Sequence, residues 1–276
     1  MDNDAQELPP LKSMSLGEHL EELRRRVVLS GIAIGACMVI CWILHDSVLV
    51  DLLNAPLDIA AGRYENPYSY HNPLLDVLRT RLPGLANVGE LNVMSPFAPI
   101  VMKLKVSLLA GAILASPIVI MQLWKFVESG LYTREKRYVV VYGATSLLLF
   151  LAGCAFSFFV LFPLAIAVML GGTRYGIVLK IEEYVSQATF FTVGVGSIFQ
   201  MPLVLLFLAR MGIVNVDTLR AKRRHVIVGI LVVAAMITPP DPLTQIIVAI
   251  PMLMLYELSI LILKIRSRTS DSKGAE

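Results

Sequence analysis

From residue 138 to residue 170 the chain carries no charged side chain. A helix crosses the hydrocarbon core of a bilayer in about 20 residues, so this run alone is longer than one crossing requires. Five further apolar runs accompany it, at 27–44, 106–124, 184–209, 226–238 and 243–263, the last interrupted only by Glu257. Inside a bilayer every backbone N–H and C=O must be satisfied by the protein itself, which leaves helices for uninterrupted apolar runs of this length. The expected fold is an all-α membrane protein with six transmembrane helices. Pro163 and the Gly171-Gly172 pair predict that the third run bends or leaves the membrane near its end. Pro239, Pro240 and Pro242 break the chain between a short fifth run and the sixth. These two read either as separate spans or as one re-entrant hairpin, and both readings leave their flanks on the same side. The first outer segment, 45–94, reads as a long polar loop with turns at Asn66-Pro67 and Asn72-Pro73.

Composition narrows the function classes. Of 276 residues 56% are hydrophobic and 16% charged, against about 25% charged in soluble domains. A disordered chain, a collagen-like chain and a water-soluble enzyme are excluded on that basis. The net charge of +3 gives no reason to invoke nucleic acid. Cys37, Cys41 and Cys154 all lie within apolar runs, where they read as small packing residues and not as a disulfide framework or zinc site. The first 26 residues hold six acids among their bases, unlike a transit peptide, and the run after Arg26 is too long for a signal-peptide core. The organisation expected is an amphipathic cytoplasmic segment at 1–26, a transmembrane domain at 27–263 and a cytoplasmic tail at 264–276.

Basic residues stay on the cytoplasmic side of a membrane. With the N-terminus inside, 17 of the 24 Lys and Arg fall in the inner segments: before residue 27, at 125–137, at 210–224 and after residue 263. Both termini are therefore expected in the cytoplasm, and Glu135 with them.

An ionisable group in mid-bilayer costs about 2.5–3.5 kcal/mol on insertion scales, so each is a functional candidate. Glu257 reads as a carboxyl near the inner interface, paired with a neighbouring helix or protonated, or else as a functional group. Gln200, beside Pro202, either satisfies the kink that the proline opens or joins helices through its amide. Asp241 suits the tight outer turn, and Gln245 stands one helical turn later, where its amide can meet a partner helix. At the N-terminus, Glu21 and Glu22 precede Arg25 and Arg26 by four residues, which supports a juxtamembrane helix by about 0.2–0.5 kcal/mol per pair. No HExxH, GxGxxG, P-loop or GxSxG occurs, and the four histidines are dispersed. The expectation is of no enzyme, no metal and no cofactor.

The ordered motifs are similar to those of the TatC family, the receptor subunit of the twin-arginine protein translocase. They are His19-Leu20-Glu21-Glu22-Leu23-Arg24-Arg25-Arg26; Asn54-Ala55-Pro56-Leu57; Ser116-Pro117 with Gln122-Leu123-Trp124-Lys125-Phe126, Gly130-Leu131-Tyr132 and Glu135-Lys136-Arg137; Phe159-Val160-Leu161-Phe162-Pro163-Leu164; and Leu219-Arg220 followed by Thr238-Pro239-Pro240-Asp241. The resemblance covers about 15–264. It implies a concave, glove-like bundle in a bacterial cytoplasmic membrane that recognises twin-arginine signal peptides of folded cargo. It implies work with TatA- and TatB-like single-span partners, as an oligomer within the complex, driven by the protonmotive force. The family's two signal-binding glutamates fall on Glu22 and Glu135, with Arg24, Phe126 and Tyr132 at matching positions nearby. Its polar position in the fourth span, often Glu, falls on Gln200, and Asp241 and Gln245 match the outer end of the partner-facing hairpin. Two departures stand out: Ser129 where the family usually has Pro, and Gln200, which keeps hydrogen bonding but carries no charge. The rival class is a small-solute or ion transporter using Glu257 and Gln200. It asks for several polar groups at the midplane, and for internal repeats, of which none is visible. A membrane-embedded hydrolase lacks its nucleophile or metal set.

Overall fold

The structure is a computed structural model that describes residues 16–44, 47–63, 67–69, 72, 75, 88–129, 137–171, 177–238 and 241–273. Helix α1 (Leu16–Ile43) starts in the polar N-terminal segment and continues unbroken through the first apolar run. Two strands and a further helix follow in the outer region before and after the next spans: α2 (Ser47–Ala61), β1 (Val88–Asn92) and β2 (Ile177–Lys180). The second span is α3 (Ala98–Ser129). The third is α4 (Arg137–Phe156), a π turn at Ser157–Leu161, and α5 (Phe162–Gly171). The fourth is α6 (Ile181–Ile198) followed by α7 (Met201–Arg210). A short helix α8 (Val216–Ala221) leads into α9 (Arg223–Ile237) and α10 (Pro242–Lys273), the fifth and sixth.

Among the described residues five helical stretches are long and apolar enough to cross a membrane: Gly17–Ile43, Ala98–Glu128, Val140–Leu170, Ile181–Arg210 and Pro242–Ile265. The sixth, α9, has 15 residues. Their outward faces carry large apolar side chains, with Ile32, Val140, Leu148 and Met236 each more than 60% exposed. Contiguous apolar surface on this scale is stable in hydrocarbon and not in water.

Prolines and packing shape the spans. The third carries a π turn immediately before Pro163. The N–H of Phe162 reaches back five residues to Ser157 O, so the π turn makes the local adjustment next to a residue that has no N–H to give. The run then ends at Gly171. The fourth run breaks at Phe199-Gln200, just before Pro202 in the first turn of α7. In the outer segment the expectation of a polar loop is corrected: α2 is a helix whose Leu53, Ala55, Pro56, Leu57, Ile59 and Ala60 are buried. They pack on α5 and α6 around Phe162, whose ring lies 5.3 Å from Phe191 and 5.4 Å from Tyr184. The Tyr184 hydroxyl donates to Leu53 O at 2.9 Å and fixes α2 to the bundle. β1 pairs in parallel with β2, Leu91 opposite Leu179, so the segments after α2 and α5 meet at the outer end.

Candidate functional site

The inner end of the bundle is built where α1 and α3 run side by side. Gly111 allows the closest approach: a Cβ there would stand 2.6 Å from Met38 N. Towards the inner end the same pair of helices brings His19 over the Phe126 ring, with centroids 4.6 Å apart and planes at 28°. Between these contacts Arg26 donates from Nη1 to Gln122 Oε1 at 2.8 Å and from Nη2 to Glu22 Oε1 at 2.9 Å. The ion pair is i,i+4 on α1 and is sheltered, with side-chain exposures of 18% for Glu22 and 25% for Arg26. Glu22 is thus a carboxylate whose position is set by two helices, while Arg24, two residues on, is exposed.

Behind this surface Trp124 is buried. It stacks on Tyr142 at 5.3 Å and meets Phe207 edge-on at 5.4 Å, which locks the inner ends of α3, α4 and α7 together. Tyr132 and Glu135 lie outside the described residues, between Ser129 and Arg137.

The polar residues of the spans each engage a different neighbour. Gln200 Nε2 donates to Ser146 O at 2.9 Å, and Gln200 Oε1 accepts the Ser146 hydroxyl. The amide therefore ties the break in the fourth span to α4. Asp241 caps α10: its Oδ2 accepts from Thr244 N at 2.9 Å, and its carbonyl accepts the Thr244 hydroxyl at 3.1 Å. Gln245 Nε2 donates to Leu231 O at 2.8 Å and joins α10 to α9. Glu257 Oε2 accepts from Arg223 Nη2 at 2.7 Å, with both side chains about half exposed. This pair joins α9 to α10.

Gln122 and His19 were not among the sequence candidates, although both stand inside the quoted motifs. A lone amide in an apolar run was the available signal for Gln122, and its partner is 96 residues away.

The bonds around Gln200 make an expected result. In Gln200→Leu both bonds to Ser146 disappear, while in Gln200→Glu a neutral carboxyl can donate to Ser146 O and accept the Ser146 hydroxyl. Interhelical hydrogen bonds in membranes average about 0.6 kcal/mol each. Thermal unfolding in detergent should therefore show a modest loss of stability for the Leu variant and close to none for the Glu variant.

These features define a polytopic helical membrane protein with a sheltered ion pair at one end, held by packed spans. The chain belongs to the TatC family: the family of the Sec-independent protein translocase protein (TatC) matches residues 18–251. A Sec-independent protein translocase protein TatC from Desulforapulum autotrophicum is 37% identical over 261 residues, 94% of this chain and 87% of that one. TatCy from Bacillus subtilis is 34% identical over 96% of this chain and 94% of its own length. Two crystal structures of the twin-arginine translocase receptor TatC match the fold. One superposes with a TM-score of 0.73 at 33% identity, covering 91% of this chain and all of that one; the other, in DDM, gives 0.72 at 32%.

Proposed function

We propose that this protein is the signal-recognising subunit of a Sec-independent translocase in a bacterial cytoplasmic membrane, and that Glu22 and Glu135 bind the paired arginines of a cargo signal peptide. One observation carries the reading. Glu22 is a sheltered carboxylate held on two packed helices, with its counter-ion Arg26 anchored separately by Gln122. A guanidinium meets a carboxylate through two parallel hydrogen bonds and never loses its charge. An incoming arginine can share or take over Glu22 while Arg26 keeps its bond to Gln122. Arg25, Arg26, Arg134 and Lys136 repel cationic peptides in general, so the two carboxylates become the points of attraction. Phe126, stacked on His19 beside Glu22, and Tyr132 offer apolar contact to the residues flanking the arginines.

TatA- and TatB-like single-span proteins are proposed to dock on the α9–α10 hairpin. At 15 residues α9 is about 22 Å long, against a hydrocarbon core of about 30 Å. The mismatch favours a partner helix over bare lipid. Its outward Val228 and Val232 are more than half exposed, and the bonds from Gln245 and Glu257 hold the hairpin as one unit. Photo-crosslinkers placed along 226–233 should capture a single-span partner; capture confined to α1 would contradict this placement.

The reading as a whole is tested by export. A folded reporter behind a twin-arginine signal should cross the membrane of a strain lacking its own TatC only when this protein is supplied. Export without it, or none with it despite normal insertion and the partner proteins present, would refute the reading.

A further inference from the structure

A cavity of about 220 Å³ lies between the outer halves of α3 and α4. Val106, Ala110 and Ile113 form one wall and Leu151 and Ala155 the other; Thr192 of α6 stands at the back and α2 borders the outer side. Leu151 and Ala155 are exposed, so the cavity opens on the flank of the bundle.

Thr192 decides what kind of occupant fits. Its hydroxyl is buried and has no hydrogen-bond partner among the described residues. The hydroxyls of Thr145, Thr189 and Thr238 each bond the carbonyl four residues back. A water needs two to four polar partners, and an apolar cavity of about 150 Å³ stays dry and takes up an apolar molecule. One hydroxyl among aliphatic and aromatic side chains does not hold water, so the cavity suits hydrocarbon.

A charge stands on α3 outward of the cavity. Lys103 lies one turn outward of Val106 and two turns outward of Ala110 on the same face of α3. Its amine sits 5.0 Å from the centre of the Trp42 ring, the pairing of a cation with an aromatic that marks a membrane interface. Lys105 is engaged elsewhere, with Nζ 2.5 Å from Ser186 Oγ. From Lys103 to Ile113 the helix rises about 15 Å, half of a hydrocarbon core of about 30 Å. The groove is therefore one leaflet deep beneath a cation. We propose that it holds one acyl chain of an outer-leaflet phospholipid, whose phosphate lies beside Lys103.

The full chain in nanodiscs of phosphatidylcholine, doped with phosphatidylglycerol bearing a diazirine on its acyl chain, tests this. Photolabel mapped by mass spectrometry should concentrate at 106–113 and 151–155, several-fold above the equally lipid-facing Val140, Val141 and Leu148. Ala110→Trp, which fills the cavity, should remove the excess, and Lys103→Ala should reduce it. Even labelling of all lipid-facing sites in the unaltered protein would overturn the proposal, as would an excess that survives Ala110→Trp. So would labelling of these walls by a diazirine in the apolar segment of an added signal peptide when the lipid itself labels nothing there.

Discussion

Glu22→Lys is expected to abolish photo-crosslinking of a twin-arginine peptide, and Glu135→Lys to do the same, while both proteins still insert. For Glu22 the geometry states the cause. The carboxylate is 18% exposed and lies 2.9 Å from Arg26. A charge-assisted bond at a shielded site contributes about 1.5–3 kcal/mol, and each 1.4 kcal/mol is about tenfold in affinity. Loss of one arginine contact therefore lowers affinity about ten- to a hundredfold, and a lysine at 22 adds repulsion beside Arg24, Arg25 and Arg26. The fold is less affected. Arg26 keeps its bond to Gln122. Glu22→Gln, close to isosteric, should weaken binding without the added repulsion, so its loss should be the smaller of the two. Crosslinking at the unaltered level in both charge reversals would dismiss the site.

The second large effect is steric. Gly111→Ala should loosen α1 from α3, because its Cβ would meet Met38 N at 2.6 Å, Met38 Cα at 2.7 Å and Cys37 C at 3.1 Å. These are backbone atoms that cannot rotate away. Overpacking costs about 1–3 kcal/mol, a large share of a net stability of about 5–15 kcal/mol. Gly35→Ala is the control. A Cβ there has no described residue within 4 Å, and alanine exceeds glycine in helix propensity by about 1 kcal/mol. The two substitutions should move the unfolding temperature in opposite directions. Cysteines at His19 and Phe126 should also crosslink less efficiently in Gly111→Ala, since that contact depends on the same pair of helices. Equal behaviour of the two variants would refute the close approach.

The six apolar runs are legible because hydrocarbon admits little else, and Pro202 and the prolines after Thr238 mark where the helices stop. Helix α2 is not legible as a span because Asp51, Asp58 and Pro56 interrupt it. Its apolar residues at 49, 52, 53, 56, 57 and 60 nevertheless follow a helical period, and that pattern was the signal for a helix packed on the bundle. The π turn leaves no mark beyond Pro163 nearby, since it comes from how Ser157 and Phe162 meet. The Ser157 hydroxyl also reaches Phe191 O on α6, 34 residues away, at 2.8 Å. The inner surface was legible in part. The spacing of Glu22 and Arg26 already implies their pairing, whereas Gln122 becomes visible as their anchor only when α1 and α3 lie together. Gln200 is similar: the sequence shows an amide beside a proline, and the fold supplies Ser146, 54 residues earlier.

The most direct measurement is the affinity of the purified protein, reconstituted in lipid, for two signal peptides that differ only in carrying Arg-Arg or Lys-Lys. A lysine is a point charge without the paired donors of a guanidinium. The account predicts tighter binding of the twin-arginine peptide by about tenfold, the equivalent of about 1.4 kcal/mol, and a smaller difference in Glu22→Ala. Equal affinity for the two peptides, or a preference unchanged in Glu22→Ala, would contradict it.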